Sequence, residues 1–378
     1  MTAPQPPGAG RGRRRAAAVR TDGGRSDTST GVASSAAAVA TRQLVALGLP
    51  GSGKTTFLAA LWHVIGQGAT GVAAPSLVLA NLRGSREYLN QIADEWVNGR
   101  EVARTPVGAA RTTTLTLQDR RSATTFDASF PDVSGEAFME AWAGRELQPE
   151  VHALLATAHG LLLFVHAADV TPPTRIDEWR TVFGDALGGA GDDATLTDVP
   201  DAMVDDPGAG GDGTPTRPSG GSGALVGAAR DADDEVHAYD ATKAPTDTIL
   251  VDLLQAFGDL ARERTPVPVA LVVSAWDLVQ RTARGASAPT PAAWVAAQLP
   301  LMTQFLEANA RTFSTRIYGV SAQGGDVRDA ADVARLRGML DPEERIVVVG
   351  PAGTSGQPMS PHDLSAPVRW ALLGEEGA

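Results

Sequence analysis

Residues 48–56 read Gly-Leu-Pro-Gly-Ser-Gly-Lys-Thr-Thr, and no other stretch limits the possible folds of this chain as tightly. Gly48, Gly53, Lys54 and Thr55 fill G-x-x-x-x-G-K-[ST], a pattern that carries chemistry only where a strand ends and a helix begins. Both flanks meet that condition. Gln43–Leu47 is a short apolar run of strand type, and Phe57, Leu58, Leu61, Trp62 and Ile65 recur at helical spacing until Gly66 and Gly68. Gly48, Gly51 and Gly53 let the backbone wrap around a phosphate chain with its N–H groups inward, and Pro50 and Ser52 complete the loop. The helix that follows adds the positive end of its dipole. In this reading Lys54 neutralises phosphate oxygens, the Thr55 hydroxyl ligates Mg²⁺, and Thr56 stands beside it in the first turn. A second glycine-rich run, 350–357, lacks the Lys-Thr pair and reads as a loop.

Composition narrows the rest. There is no cysteine, so disulfides, thiolate metal sites and cysteine catalysis are excluded. The longest apolar run, Leu161–Val165, is far short of the ~20 residues of a membrane span. No signal-peptide-like stretch precedes it, so the expectation is a soluble protein of the cytoplasm, with no membrane partner. Lysine occurs only at 54 and 243 among 32 basic residues, and this arginine bias points to a GC-rich bacterial source. The net charge of −12 is concentrated at 187–240, where twelve acidic residues face two arginines. The folded remainder offers no basic face for nucleic acid. Six histidines (63, 152, 159, 166, 237, 362) show no ligand spacing and read as structural or surface residues.

The chain divides into a disordered basic tail over 1–41, a first domain half over 42–186, an acidic low-complexity insertion over 187–240, and a second half over 241–378. Outside the tail and insertion, strand and helix patterns alternate. Thr112–Leu117 and Ala123–Phe130 form an antiparallel hairpin around Asp119-Arg120-Arg121. Leu161–Val165, Val267–Val273 and Arg316–Val320 read as strands buried on both faces, and Arg345–Val349 as a short late strand. Helical faces recur at Tyr88–Trp96, Ile176–Leu187, Ile249–Leu260, Trp294–Leu306 and Val368–Leu373. This is an α/β sheet, mostly parallel.

A second carboxylate is needed near the phosphates. Asp127 lies on the strand face opposite Phe126, Ala128 and Phe130, whereas Asp132 lies just past the strand end in Phe-Pro-Asp-Val-Ser-Gly-Glu. Asp132-Val133-Ser134-Gly135 fits D-x-x-G. Ser274-Ala275-Trp276-Asp277 follows the strand 267–273, and Ser321-Ala322-Gln323 follows 316–320. In that order these segments resemble the D-x-x-G, N-K-x-D and S-A-K elements of Ras-like (TRAFAC-class) P-loop GTPases. With Arg104-Thr105-Pro106 they resemble most nearly the bacterial double-GTPase family.

The resemblance covers about 42–186 and 241–373. It implies a six-stranded, mostly parallel sheet with one antiparallel edge strand from the hairpin, and helices on both faces. Asp132 then holds Mg²⁺ through water, and the Gly135 amide senses the γ-phosphate. Asp277 accepts the guanine N1–H and N2–H, a pair adenine does not match, and the Ser321-Ala322 backbone meets O6. Thr105 supplies the second Mg²⁺ hydroxyl, with Thr112–Thr114 as alternatives. Arg104 either reaches the γ-phosphate or sits on the surface. Glu136 either orients water or caps a helix, and Trp276 either stacks on the base or packs inside.

The implied activity is slow, Mg²⁺-dependent GTP hydrolysis in a conformational switch. Its partner would be a second GTPase or effector, in a conflict or defence setting. The alternatives are an ATP-dependent P-loop kinase or ATPase, and a nucleotide-binding module without turnover. Deleting 190–238 is expected to leave nucleotide binding intact in a titration of the purified protein; loss of folding would make that segment structural.

Overall fold

The computed structural model describes residues 40–66, 74–103, 111–132, 135–173, 243–264, 266–283, 287–351 and 359–374. The tail to residue 39, the acidic segment 187–240, the helical face read at 176–187, Arg104 and Thr105 lie outside them, as does most of the run 350–357.

Alternating apolar residues build the sheet. In β5 (Gly160–His166) every residue from 160 to 165 is buried. Leu162 and Phe164 join one apolar cluster while Leu161, Leu163 and Val165 join the other, the period-two pattern of a strand covered on both faces. The other strands are β1 (Ala40–Gly48), β2 (Leu77–Arg83), β3 (Arg111–Asp119), β4 (Thr125–Asp132), β6 (Val267–Ser274), β7 (Phe313–Ser321) and β8 (Val347–Val349). They form one sheet in the order β2-β3-β4-β1-β5-β6-β7-β8. Strands β4, β1, β5, β6 and β7 are mutually parallel.

The sheet has eight strands, and this corrects the expectation of six. The hairpin strand β3 is antiparallel to β4 as expected, but it is not the edge: β2 pairs antiparallel along its far side. The run Leu77-Val78-Leu79 is short and gives way to exposed Ala80 and Asn81, so it carries little strand pattern. At the other edge β8 pairs antiparallel with β7, starting two residues later than read because Arg345 ends a 3₁₀ turn.

Helices cover both faces. One carries α1 (Lys54–Gly66) and α2 (Arg86–Val97); Ser85 caps α2 by accepting the Tyr88 N–H, and Leu89, Ile92, Ala93 and Trp96 form its buried stripe. The opposite face carries α3 (Gly135–Gly144), α4 (Pro149–Thr157), α5 (Thr246–Leu260), α6 (Trp276–Thr282), α7 (Pro291–Gln298) and α8 (Pro300–Ala308). The single helix read over 294–306 is broken at Leu299, whose successor Pro300 disfavours a helical residue before it. The buried Asp247 carboxylate then accepts the Leu301 and Met302 N–H groups at 2.7 Å each, capping α8 from another helix. After α9 (Ala330–Gly338), α10 (Ala366–Leu373) returns to the α1 face.

Helix α10 is tied to the hairpin by one buried ion pair. Arg369 Nε lies 2.6 Å from Asp119 Oδ1, with Asp119 fully buried. Burial pushes the Asp119 carboxyl up, but hydrogen bonds from Arg369 and Ser122 outweigh it and bring the pKa down to about 2. A carboxylate depressed in the folded state contributes stability above its unfolded pKa of about 4 and loses that contribution as pH falls toward 2. Asp119→Asn is therefore expected to cost about 3 kcal/mol at neutral pH, and to flatten the pH dependence of urea unfolding between pH 4 and 2. An unchanged acid limb would contradict the assignment.

Candidate functional site

The parallel strands end along one edge of the sheet, and the 48–56 loop lies there between β1 and α1. Gly51 and Gly53 take left-handed φ values of +76° and +87°, which side-chain-bearing residues rarely adopt. Lys54 Nζ donates to Gly48 O at 2.6 Å, to Leu49 O at 3.2 Å and to Ser52 Oγ at 3.2 Å, so the ammonium spans the mouth of the loop. The expected strand–loop–helix context is present, with β1 ending at Gly48 and α1 starting at Lys54.

A cavity of about 620 Å³ opens beside the loop. Its wall takes in Pro50–Thr56, Gly135, Glu136, Asp277, Ser321 and Ala322. Segments more than 200 residues apart in sequence thus share one wall. Gly48 contributes from beneath, through the carbonyl that Lys54 meets.

The 274–277 segment joins the two ends of this cavity. Ser274 Oγ donates to Ser52 O at 2.9 Å, tying β6 to the phosphate loop. Ala275 follows in left-handed backbone at φ +53°, a conformation costing about 1–2 kcal/mol outside glycine. That turn starts α6, and Asp277 falls in its first turn. Asp277 Oδ1 accepts the Ser321 hydroxyl at 2.7 Å, and Ser321 Oγ accepts the Gly324 N–H at 3.1 Å. Arg281 bridges the Asp277 and Asp332 carboxylates at 3.2 and 3.0 Å. Asp332 is held down at about 2 by the Asp326 N–H, with Arg335 and Arg281 adding to it against burial.

Trp276 does not reach the cavity. It is buried, meets Trp294 edge-on at 6.3 Å, and fills the space over Gly319, where a Cβ would lie 2.3 Å from its ring. Of the two readings, inside packing is the one realised. Asp127 is likewise spent elsewhere, accepting Thr116 Oγ1 at 2.6 Å and pairing with Arg83 at 2.7 Å. Thr112–Thr114 lie within β3. Strand β4 ends at Asp132, and three residues later Gly135 lies against the phosphate loop; the Asp132 side chain and residues 133–134 are outside the described residues.

Other wall residues escaped the sequence reading: Arg100, Glu101, His166, Asp169 and Arg328. His166, read as structural or surface, has its Nδ1 3.2 Å from Asp169 Oδ2, and both line the cavity. Its signal was its place, a polar residue closing an all-apolar parallel strand.

Among the described residues no group of three or more His, Asp or Glu could hold a metal. Mg²⁺ bound beside phosphates needs no such cage, since it keeps several waters and takes one or two protein ligands. Thr55, at the first turn of α1 on the cavity wall, carries a hydroxyl of the kind such an ion takes.

Helix α3 starts on the loop itself. A Cβ on Gly135 would lie 2.3 Å from Pro50 N and 2.5 Å from Leu49 C, contacts that backbone does not relieve. Glu136 stands both in the first turn of α3 and on the wall. Gly135→Ala is expected to lift α3 off the loop and raise amide exchange at Leu49 and Gly51–Gly53 about tenfold. Unchanged protection there would mean that α3 does not brace the loop.

A sequence model of the Double-GTPase 1 family matches residues 45–371, from β1 to α10. No curated protein matches the chain. Among solved structures, the bacterial selenocysteine-specific elongation factor EF-Sec is similar over 79% of this chain, with 10% identity and a TM-score of 0.30. The chain spans 28% of that factor's length. Because the family match takes in well over half the chain and every site segment described above, the chain belongs to the Double-GTPase 1 family.

Proposed function

We propose that this chain binds GTP with Mg²⁺ in the 620 Å³ cavity and hydrolyses it slowly as a conformational switch. One observation carries the reading: the Asp277–Ser321 pair, 2.7 Å apart, shares a wall with Lys54 and Thr55. A purine nucleotide spans such a distribution, its phosphates on the loop and its base on the carboxylate.

The roles follow from the groups. N–H groups of the 48–56 loop and the α1 N-terminus cradle the phosphates, and Lys54 adds the positive charge. Thr55 and Asp132 hold Mg²⁺, with Thr105 as the second hydroxyl from a segment outside the described residues. The ion supplies charge neutralisation on phosphate oxygens. Asp277 accepts two N–H groups of guanine, and the Ser321-Ala322 loop faces O6. Glu136 orients water beside the phosphates, and its negative charge there accounts for a slow rate. Arg104 is assigned to the γ-phosphate.

The switch rests on the Gly135 contact. Helix α3 begins against Leu49 and Pro50, so any group seated in the loop meets the start of that helix. Release of α3 on hydrolysis would then be read by a protein partner, for which a second GTPase is the proposed class. Among the described residues no helix is long and apolar enough to cross a membrane.

Calorimetric titration with GTP and ATP, each with and without Mg²⁺, tests the reading. Mg²⁺-linked GTP binding with weak ATP binding is expected. Asp277→Asn should weaken GTP by about 10- to 100-fold, as expected for charged hydrogen bonds, while improving binding of xanthosine triphosphate. Equal affinities for GTP and ATP in the wild-type chain would overturn the base assignment and bring the kinase and ATPase readings forward.

A further inference from the structure

Helix α2 ends on the base side of the cavity. Trp96, fully buried, donates its indole Nε1–H to Ala322 O at 2.9 Å. Arg345 clamps the same tryptophan from another side. Its guanidinium carbon lies 4.7 Å from the ring centre, and its Nη1 and Nη2 donate to Trp96 O at 3.0 Å and Val97 O at 2.9 Å. The Arg345 backbone also backs the base loop, since a Cβ on Gly324 would lie 2.7 Å from Arg345 O. Ala322 and Gly324 are therefore both held by one Trp96–Arg345 unit.

The loop has other anchors: buried Ser321 donates to Asp277 and accepts the Gly324 N–H. Gly324 O accepts Arg335 at 2.6 Å and Arg281 at 3.4 Å, from arginines about half exposed to water, where such contacts are screened. The Trp96 indole is buried and its N–H reaches a part-buried carbonyl on the cavity wall, so removing the donor leaves that wall carbonyl without it. The same helix end also builds the wall. Gly99 turns at φ +58°, and Arg100, Glu101 and Val102 then line the cavity. Arg328, beyond the base loop, closes across to Glu101 at 2.9 Å.

We propose that Trp96 is a positioning residue for base recognition: its indole N–H sets the height of the 321–324 loop, and Arg345 fixes Trp96. This rests on the reading of Asp277 and Ser321 as the base-binding pair. Helix α2 thereby joins the base loop to the Arg100–Val102 wall, so that the two move together.

The test uses the full chain with Trp96→Phe, which keeps a ring and removes the donor. A second variant carries benzothienylalanine at position 96, introduced by nonsense suppression, which replaces the N–H by sulfur at nearly constant volume. Both are titrated with GTP and with 6-thioguanosine triphosphate, which keeps the N1–H and the 2-amino group but replaces O6 by a weakly accepting sulfur. GTP affinity is expected to fall about tenfold while that of the analogue stays within about twofold, so the preference between them collapses. Should both affinities fall together, or neither change, Trp96 is core packing only and the proposal is overturned. If the wild-type chain does not prefer GTP to ATP, the base-pair reading itself fails and takes this proposal with it. A tenfold loss confined to GTP distinguishes the positioning role from loss of fold.

Discussion

The site depends on how closely β1 approaches β5. Gly48, the last residue of β1, pairs with Phe164 of β5, and a methyl group there would fall 2.8 Å from Phe164 O and 2.5 Å from Ser52 Oγ. Only a residue without a side chain lets the chain leave the sheet at this point. The turn that follows brings the Gly48 and Leu49 carbonyls to face Lys54 Nζ, and it brings Pro50 under Gly135. A side chain at Gly48 would push the loop off β5, and with it α1, the lysine and the start of α3.

Residues 274–277, from the end of β6 into the first turn of α6, then connect the 48–56 loop to Ser321. Ser274 bonds Ser52 O, and its side chain sits 3.1–3.2 Å from where a Cβ on Gly53 would be, so two small residues set that spacing. Serine reaches the loop here because the neighbour is glycine. Three residues later Asp277 meets Ser321. Between them Ala275 holds a left-handed conformation whose cost is offset by the burial of Trp276 on Gly319. Core packing of the tryptophan thus aims the aspartate.

Local pattern made much of this legible. The loop at 48–56, the apolar runs at 161–165 and 267–273, and the hairpin around Asp119 each announce themselves within ten residues, because strand period and glycine spacing are local properties. The placement of Asp277 and Ser321 on one wall was legible only as order along the chain. Other features depend on distance in sequence or on competition between forces. Edge strand β2 is half exposed and so loses its alternation. Trp276 could stack or pack, and only the void over Gly319 decides it. The bond from Trp96 to Ala322 joins residues 226 apart, beyond any periodicity.

Electrostatics bears on how such a site takes an anion at all. The chain carries −12, and carboxylates line the cavity itself: Glu101, Glu136, Asp169, Asp277 and Asp326. Asp169 Oδ2 lies 3.7 Å from where a Cβ on Gly51 would be, close to the loop that the nucleotide reading assigns to phosphates. At physiological salt the screening length is about 8 Å, so the distant acidic charge is muted and the local balance decides. Lys54 brings one positive charge, and Arg100 and Arg328 stand on the wall. Backbone N–H groups at a helix N-terminus add fractional charge without a counter-acid. For a triphosphate these sources fall short of neutralising the wall and the ligand together. A divalent cation beside the proposed triphosphate would offset part of that deficit.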